Sequence, residues 1–170
     1  LTRGDGEIRP FLSPDGRSVY FSAAGDNSLW QVPINGGESA AVIDEGVLRA
    51  AVSPNGREIA YFGLDGEKGK LFVRSFPDLK PLLSFEAFFS RVAPPKIVWS
   101  GDGRSVVYYR NDANEVGNLW KQPLAGGEPQ KLTNFTSHNI FDFSFSPDGK
   151  SLAIARGSWN HDAVLLKGFR

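Results

Sequence analysis

The sequence predicts an all-β fold, a β-propeller made of four consecutive four-stranded antiparallel blades. Three observations predict it. First, one turn occurs four times: Ser13-Pro14-Asp15-Gly16, Ser53-Pro54-Asn55-Gly56, Ser100-Gly101-Asp102-Gly103 and Ser146-Pro147-Asp148-Gly149, with the serines 40, 47 and 46 residues apart. Self-similarity at a period of about 40–50 residues is the signature of four-stranded blades. Second, a short run that is apolar on both faces follows each turn. Third, the 19 Gly and 11 Pro residues fall mostly at repeat boundaries. No stretch keeps a 3.6-residue apolar period for three helical turns.

Each repeat reads as strands A to D. Strand A ends at Leu12, Val52, Trp99 and Phe145, directly before the turn. Strand B follows it, with the columns Val19/Ile59/Val106/Leu152, Tyr20/Ala60/Val107/Ala153 and Phe21/Tyr61/Tyr108/Ile154. Successive strand residues point to opposite faces, so apolar residues in adjacent columns mean a sheet covered on both sides. Strand C carries Leu29-Trp30, Leu71-Phe72, Leu119-Trp120 and Val164-Leu165. Gly36-Gly37 and Gly126-Gly127 then turn the chain into strand D, around Val42 and Leu132; the second repeat uses Pro77-Asp78 instead. The expected blades are residues 8–44, 47–85, 95–135 and 139–170, one propeller segment over 1–170. The fourth is expected to lack its outer strand. Leu1-Thr2 is too short to seal a ring, so an open arc is expected.

The bulk numbers exclude several functions. Nineteen basic residues balance nineteen acidic ones, so no overall charge attracts nucleic acid or anionic membrane. With no cysteine there is no disulfide, thiolate nucleophile or cysteine metal site. No run approaches the roughly 18 apolar residues of a spanning helix. The chain also has no methionine, and it reads as a piece of a longer protein.

The pattern apolar-x-Trp/Phe-Ser-Pro-Asp-Gly-Lys/Arg, then Leu-Trp, then Gly-Gly-Glu and Leu-Thr resembles the WD40-like PD40 repeat of TolB-type β-propellers. The fullest copy runs from Phe143 through Ser146-Pro147-Asp148-Gly149 to Ala153, and Asn118-Leu119-Trp120 through Leu132-Thr133 matches strands C and D. The departures are Asn55 for Asp, Gly101 for Pro, and the missing Gly pair of repeat two. The resemblance implies six or more blades, of which this chain would hold the last four. It also implies a periplasmic or otherwise extracytoplasmic propeller that binds a protein or peptide, catalyses nothing, and follows a kinase or winged-helix signalling domain.

The motifs that carry chemistry are weak. Asp112-Ala113-Asn114-Glu115-Val116-Gly117 begins like a calcium loop, but Val116 replaces an oxygen ligand and Pro123 stands where the closing Glu belongs. The repeated Asp is expected to cap its own turn. The stretch from Gly63 to Lys70 has the wrong glycine spacing for a phosphate loop and reads as a hairpin tip. Gly-x-Ser-x-Gly is absent, Arg3-Gly4-Asp5 is a three-letter match, and Asn134-Phe135-Thr136 is an isolated glycosylation triplet. His138 and His161 are the only histidines, and Asp142 or Asp162 would have to complete an acid–base or metal site with them. No catalytic residue, cofactor or metal is expected.

Binding is expected where the D–A and B–C loops emerge, because length variation concentrates there and loops on a rigid scaffold commonly carry function. Trp159 lies in such a loop among polar neighbours. Trp30, Trp99 and Trp120 fall on strand columns and read as packing. Arg9, Arg49 and Arg91 recur just before the A strands, near where a propeller axis would run. They suit a carboxylate or acidic peptide, or they pair with Asp44, Glu45 or Glu86. The expected function is a sensor or protein-interaction module of a bacterial envelope or signalling protein; the alternative is the gating propeller of a prolyl-oligopeptidase-type serine peptidase.

Overall fold

The computed structural model describes residues 6–44, 46–87, 95–146 and 148–158. Those residues form β-sheets and turns without helix. The first sheet holds β1 (Glu7–Leu12), β2 (Ser18–Ala23), β3 (Leu29–Pro33) and β4 (Ala40–Ile43) in sequential order. The second holds β5 (Arg49–Val52), β6 (Glu58–Asp65), β7 (Lys68–Ser75) and β8 (Pro81–Glu86). The third holds β9 (Ile97–Trp99), β10 (Ser105–Asn111), β11 (Gly117–Pro123) and β12 (Gln130–Lys131). The fourth contains β13 (Asn139–Phe145) and β14 (Leu152–Gly157). All pairing is antiparallel. The strand expected at Val164-Leu165 lies outside the described residues. Among the described residues no ladder joins the fourth sheet to the first.

The repeated turn explains where each blade starts. In every copy the serine hydroxyl donates to Oδ1 of the Asp or Asn two residues on, at 2.6 Å from Ser13, 2.7 Å from Ser53 and 2.6 Å from Ser100 and Ser146. That same oxygen accepts the N–H of Arg17, Arg57, Arg104 or Lys150. The serine oxygen in turn accepts the N–H of the residue five further on, at 2.9–3.0 Å. The glycine closes the turn at φ between 68° and 72°, a conformation only glycine adopts without strain. The expected capping role of the repeated Asp is what the turns display. Asn55 substitutes for Asp because only a carbonyl-type oxygen is required.

Register confirms the columns. Val19 lies opposite Leu12, Ile59 opposite Val52, Val106 opposite Trp99 and Leu152 opposite Phe145. Trp30, Phe72 and Trp120 face Phe21, Tyr61 and Tyr108. The core forms as layers between blades. Tyr20 and Leu29 pack on Val47, Ile59 and Tyr61. Leu48, Ala60, Phe62, Leu71 and Val73 pack on Ile97, Trp99, Val106 and Tyr108. Val107 and Leu119 pack on Ile140 and Phe143. Alternate residues of β6 therefore serve two layers, as an apolar run on both faces requires.

The Val19/Ile59/Val106/Leu152 column, read as mostly buried, is enclosed in the two middle blades and more open in the outer two. Ile59 and Val106 are fully buried, Val19 is half-buried, and Leu152 is 36% exposed. This column faces the preceding blade, and no described blade precedes Val19. Leu152 sits on β14, which has no described third strand beside it.

Candidate functional site

The first strands of the blades converge. β5 and β9 touch directly, and Trp99 Nε1 donates to the Ala51 carbonyl at 2.9 Å. A cavity of about 420 Å³ lies along β1, β5 and β9. Phe11, Ile97, Val98 and Trp99 give it an apolar lining, and Arg9, Arg49 and Lys96 supply its cations.

These cations obey the repeat. Arg9, Arg49, Lys96 and Asp142 each stand four residues before the turn serine. In register, Arg49 lies opposite Phe62 and Asp142 opposite Ala155, both at the same offset from their turns. Arg9 belongs to an irregularity in β1, where the pairing skips from Ile8 to Phe11, and has φ of 56°. Such bulges re-aim a side chain.

Their partners differ. Lys96 Nζ lies 3.0 Å from Asp142 Oδ1 and 5.9 Å from the centre of the Phe143 ring. Asp142 also accepts the Phe143 N–H at 2.8 Å. Burial alone would raise the Asp142 carboxyl, but these hydrogen bonds and the Lys96 and Arg49 charges outweigh it and hold the group below its ordinary value. No ion pair between described residues involves Arg9 or Arg49. Arg9 Nη1 and Arg49 Nε are buried without a hydrogen-bond acceptor. Burial, and then the charge on Arg9, pull the Arg49 guanidinium below its ordinary value; the Tyr109 and Asp142 contributions oppose them.

Of the acids expected to pair with the arginines, Glu86 lies 3.8 Å from Lys68, Asp44 makes no ion pair with a described residue, and Glu45 is outside the described residues. Arg91, Trp159 and His161 are also outside them. His138 is exposed and does not line the cavity. Its Nδ1 is 2.9 Å from Ser137 Oγ, and its carbonyl accepts the Gly117 N–H at 3.0 Å. Asp142, expected as an acid–base partner for histidine, serves Lys96 instead. Lys96 escaped the sequence reading because the arginine pattern pointed to Arg91. Counting four residues back from each turn serine would have found it.

The Asp112 loop has its carboxylate occupied by its own backbone. Oδ1 accepts the Asn114 and Val116 N–H groups, both at 2.9 Å. This is the geometry of a self-capped turn.

No family model matches the sequence. The Tol-Pal system protein TolB of Francisella tularensis subsp. mediasiatica is 39% identical over 57 residues, which are 34% of this chain and 13% of that protein. The crystal structure of TolB from Acinetobacter baumannii superposes with a TM-score of 0.71 at 14% identity, over 91% of this chain and 38% of that one. The acylaminoacyl peptidase of Pyrococcus horikoshii superposes with a TM-score of 0.55 at 15% identity, over 79% of this chain and 26% of that one. The chain thus spans well under half the length of each. The fold of the chain is that of a TolB-type β-propeller.

Proposed function

We propose that the chain is a non-catalytic propeller module that binds a protein partner in the extracytoplasmic part of a bacterial cell envelope, as the sensor or interaction part of a larger signalling protein. The observation that carries this reading is the 39% identity, over 57 residues, to a protein of the Tol-Pal system. The site chemistry agrees with binding. The cavity on the inner strands offers cations and apolar surface, and no described histidine lines it. A positively charged, partly apolar recess suits recognition of a side chain better than bond cleavage, which needs a positioned base or nucleophile.

The test is reconstitution. The purified chain is presented to envelope and cytosolic extracts, and the enriched protein is then purified and titrated against it. A partner from the envelope fraction binding with micromolar or tighter affinity supports the reading. Turnover of peptide, ester or phosphate substrates by the chain would overturn it. The peptidase-gate alternative rests on the likeness to the acylaminoacyl peptidase, which at 15% identity speaks for the fold alone. Sequencing the gene on both sides separates the two: an α/β-hydrolase downstream favours the gate, a kinase or winged helix upstream the sensor.

A further inference from the structure

We propose that Arg9 and Arg49 form a receptor for a carboxylate carried on a short aliphatic stem, set in the axial cavity between the inner strands of the first three blades. The inference deepens the protein-binding reading and rests on it for the source of the carboxylate. Four observations carry it.

The first is the charge ring. The position four residues before each turn serine is Arg9, Arg49, Lys96 and Asp142 in successive blades. Lys96 and Asp142 neutralise each other at 3.0 Å. Two cations remain without an ion-pair partner among the described residues. The second is the pair of orphan donors. Arg9 Nη1 and Arg49 Nε are buried without acceptors. Burying a charged donor unpaired is costly, and a bound anion would remove that cost.

The third is mutual repulsion. The Arg9 charge acts unfavourably on Arg49. Two like charges facing one cavity destabilise the empty fold and favour an anion between them. The fourth is the lining. Phe11, Ile97 and Trp99 border the same cavity, so a carboxylate on a methylene chain has apolar surface for its stem. The volume of about 420 Å³ admits one side chain or a small dicarboxylate. A glutamate side chain of a partner and a free dicarboxylate share this chemistry.

The experiment is calorimetric titration of the chain with four probes at low salt: a capped hexapeptide of alternating Glu and Gly, its Gln counterpart, glutarate, and inorganic phosphate. The Glu peptide is expected to bind and the Gln peptide not. Arg49→Met and Arg9→Met should each weaken binding at least about tenfold, the scale of one lost charge-assisted hydrogen-bond pair. Asp142→Asn should strengthen it by freeing Lys96. The melting temperature of unliganded Arg49→Met should stay level or rise, because a repulsion is removed; a purely structural arginine would lower it.

If Arg49→Met does not fold, Arg49→Lys serves, keeping the charge but losing the planar donor edge. Glutarate binding as tightly as the Glu peptide assigns the site to a small carboxylate; Glu-peptide binding without glutarate assigns it to an acidic side chain. Silence from every probe at millimolar concentration, equal binding of the Gln peptide, or equal binding of inorganic phosphate overturns the proposal. Silence while the chain still captures an envelope protein overturns the receptor alone and leaves the protein-binding reading standing.

Discussion

Trp99 ties the third blade to the second: its indole N–H donates to the carbonyl of Ala51 at 2.9 Å, across a layer in which the ring is 6% exposed. The bond joins two inner strands that share no β-ladder. It fixes how closely β9 approaches β5, and so shapes the cavity that both strands line. Trp99→Phe should keep the apolar contact, lose the bond and cost about 1 kcal/mol. Trp99→Ala should cost about 3–5 kcal/mol. Denaturant unfolding of both variants measures the difference, and equal losses would mean that the bond contributes nothing.

Ser53 is fully buried while Ser100 and Ser146 hold exposed turns. Ser53→Ala removes the acceptor for the Glu58 N–H and the donor to Asn55. The expected loss is roughly 1–3 kcal/mol. Ser146→Ala should cost less, because water replaces its partners. Unfolding midpoints for the two variants should differ in that order.

Asp15, Asp102 and Asp148 have carboxyl groups held below the ordinary value, first by the serine hydroxyl and then by a backbone N–H. A depressed native value means that the stabilisation is complete above the unfolded value of 3.8 and disappears as pH falls through the native one. Since all three are fully exposed, the effect is small. Asp102→Asn should preserve the turn, as Asn55 does, and flatten the acid limb of stability between about pH 5 and 2. Thermal melts across that range compare the variant with the parent.

Gly117 lies where the third blade meets the fourth. An added Cβ would come 2.4 Å from the Ile140 backbone nitrogen and 2.7 Å from Asn111 Oδ1. Backbone cannot step aside cheaply, so Gly117→Ala should destabilise by about 1–3 kcal/mol and loosen the contact between β11 and β13. Gly101 is the reverse case. Nothing lies within 4 Å of its added Cβ, and Pro14 and Pro54 fill the same turn position in other copies. Gly101→Pro should stabilise by about 0.4–1 kcal/mol by restricting the unfolded chain. Opposite shifts in melting temperature are expected for the two.

The four-fold repeat is legible in the chain alone. Ser-Pro-Asp-Gly fixes a turn through bonds that span only five residues, so its position is legible without any tertiary contact. The length of that turn then sets register, because it decides which residues of the two flanking strands lie opposite each other. The offset of four residues that gathers Arg9, Arg49, Lys96 and Asp142 was equally present in the sequence. What the chain alone does not state is which of those charges satisfy one another. Lys96 takes Asp142 because neighbouring inner strands bring them to 3.0 Å, and the arginines are left with a cavity between them. Likewise Leu152 is as apolar as Ile59 in the same column, yet one is exposed and the other enclosed. Composition fixes what a face can bury; only the strands and the blade packed beside it decide whether it does.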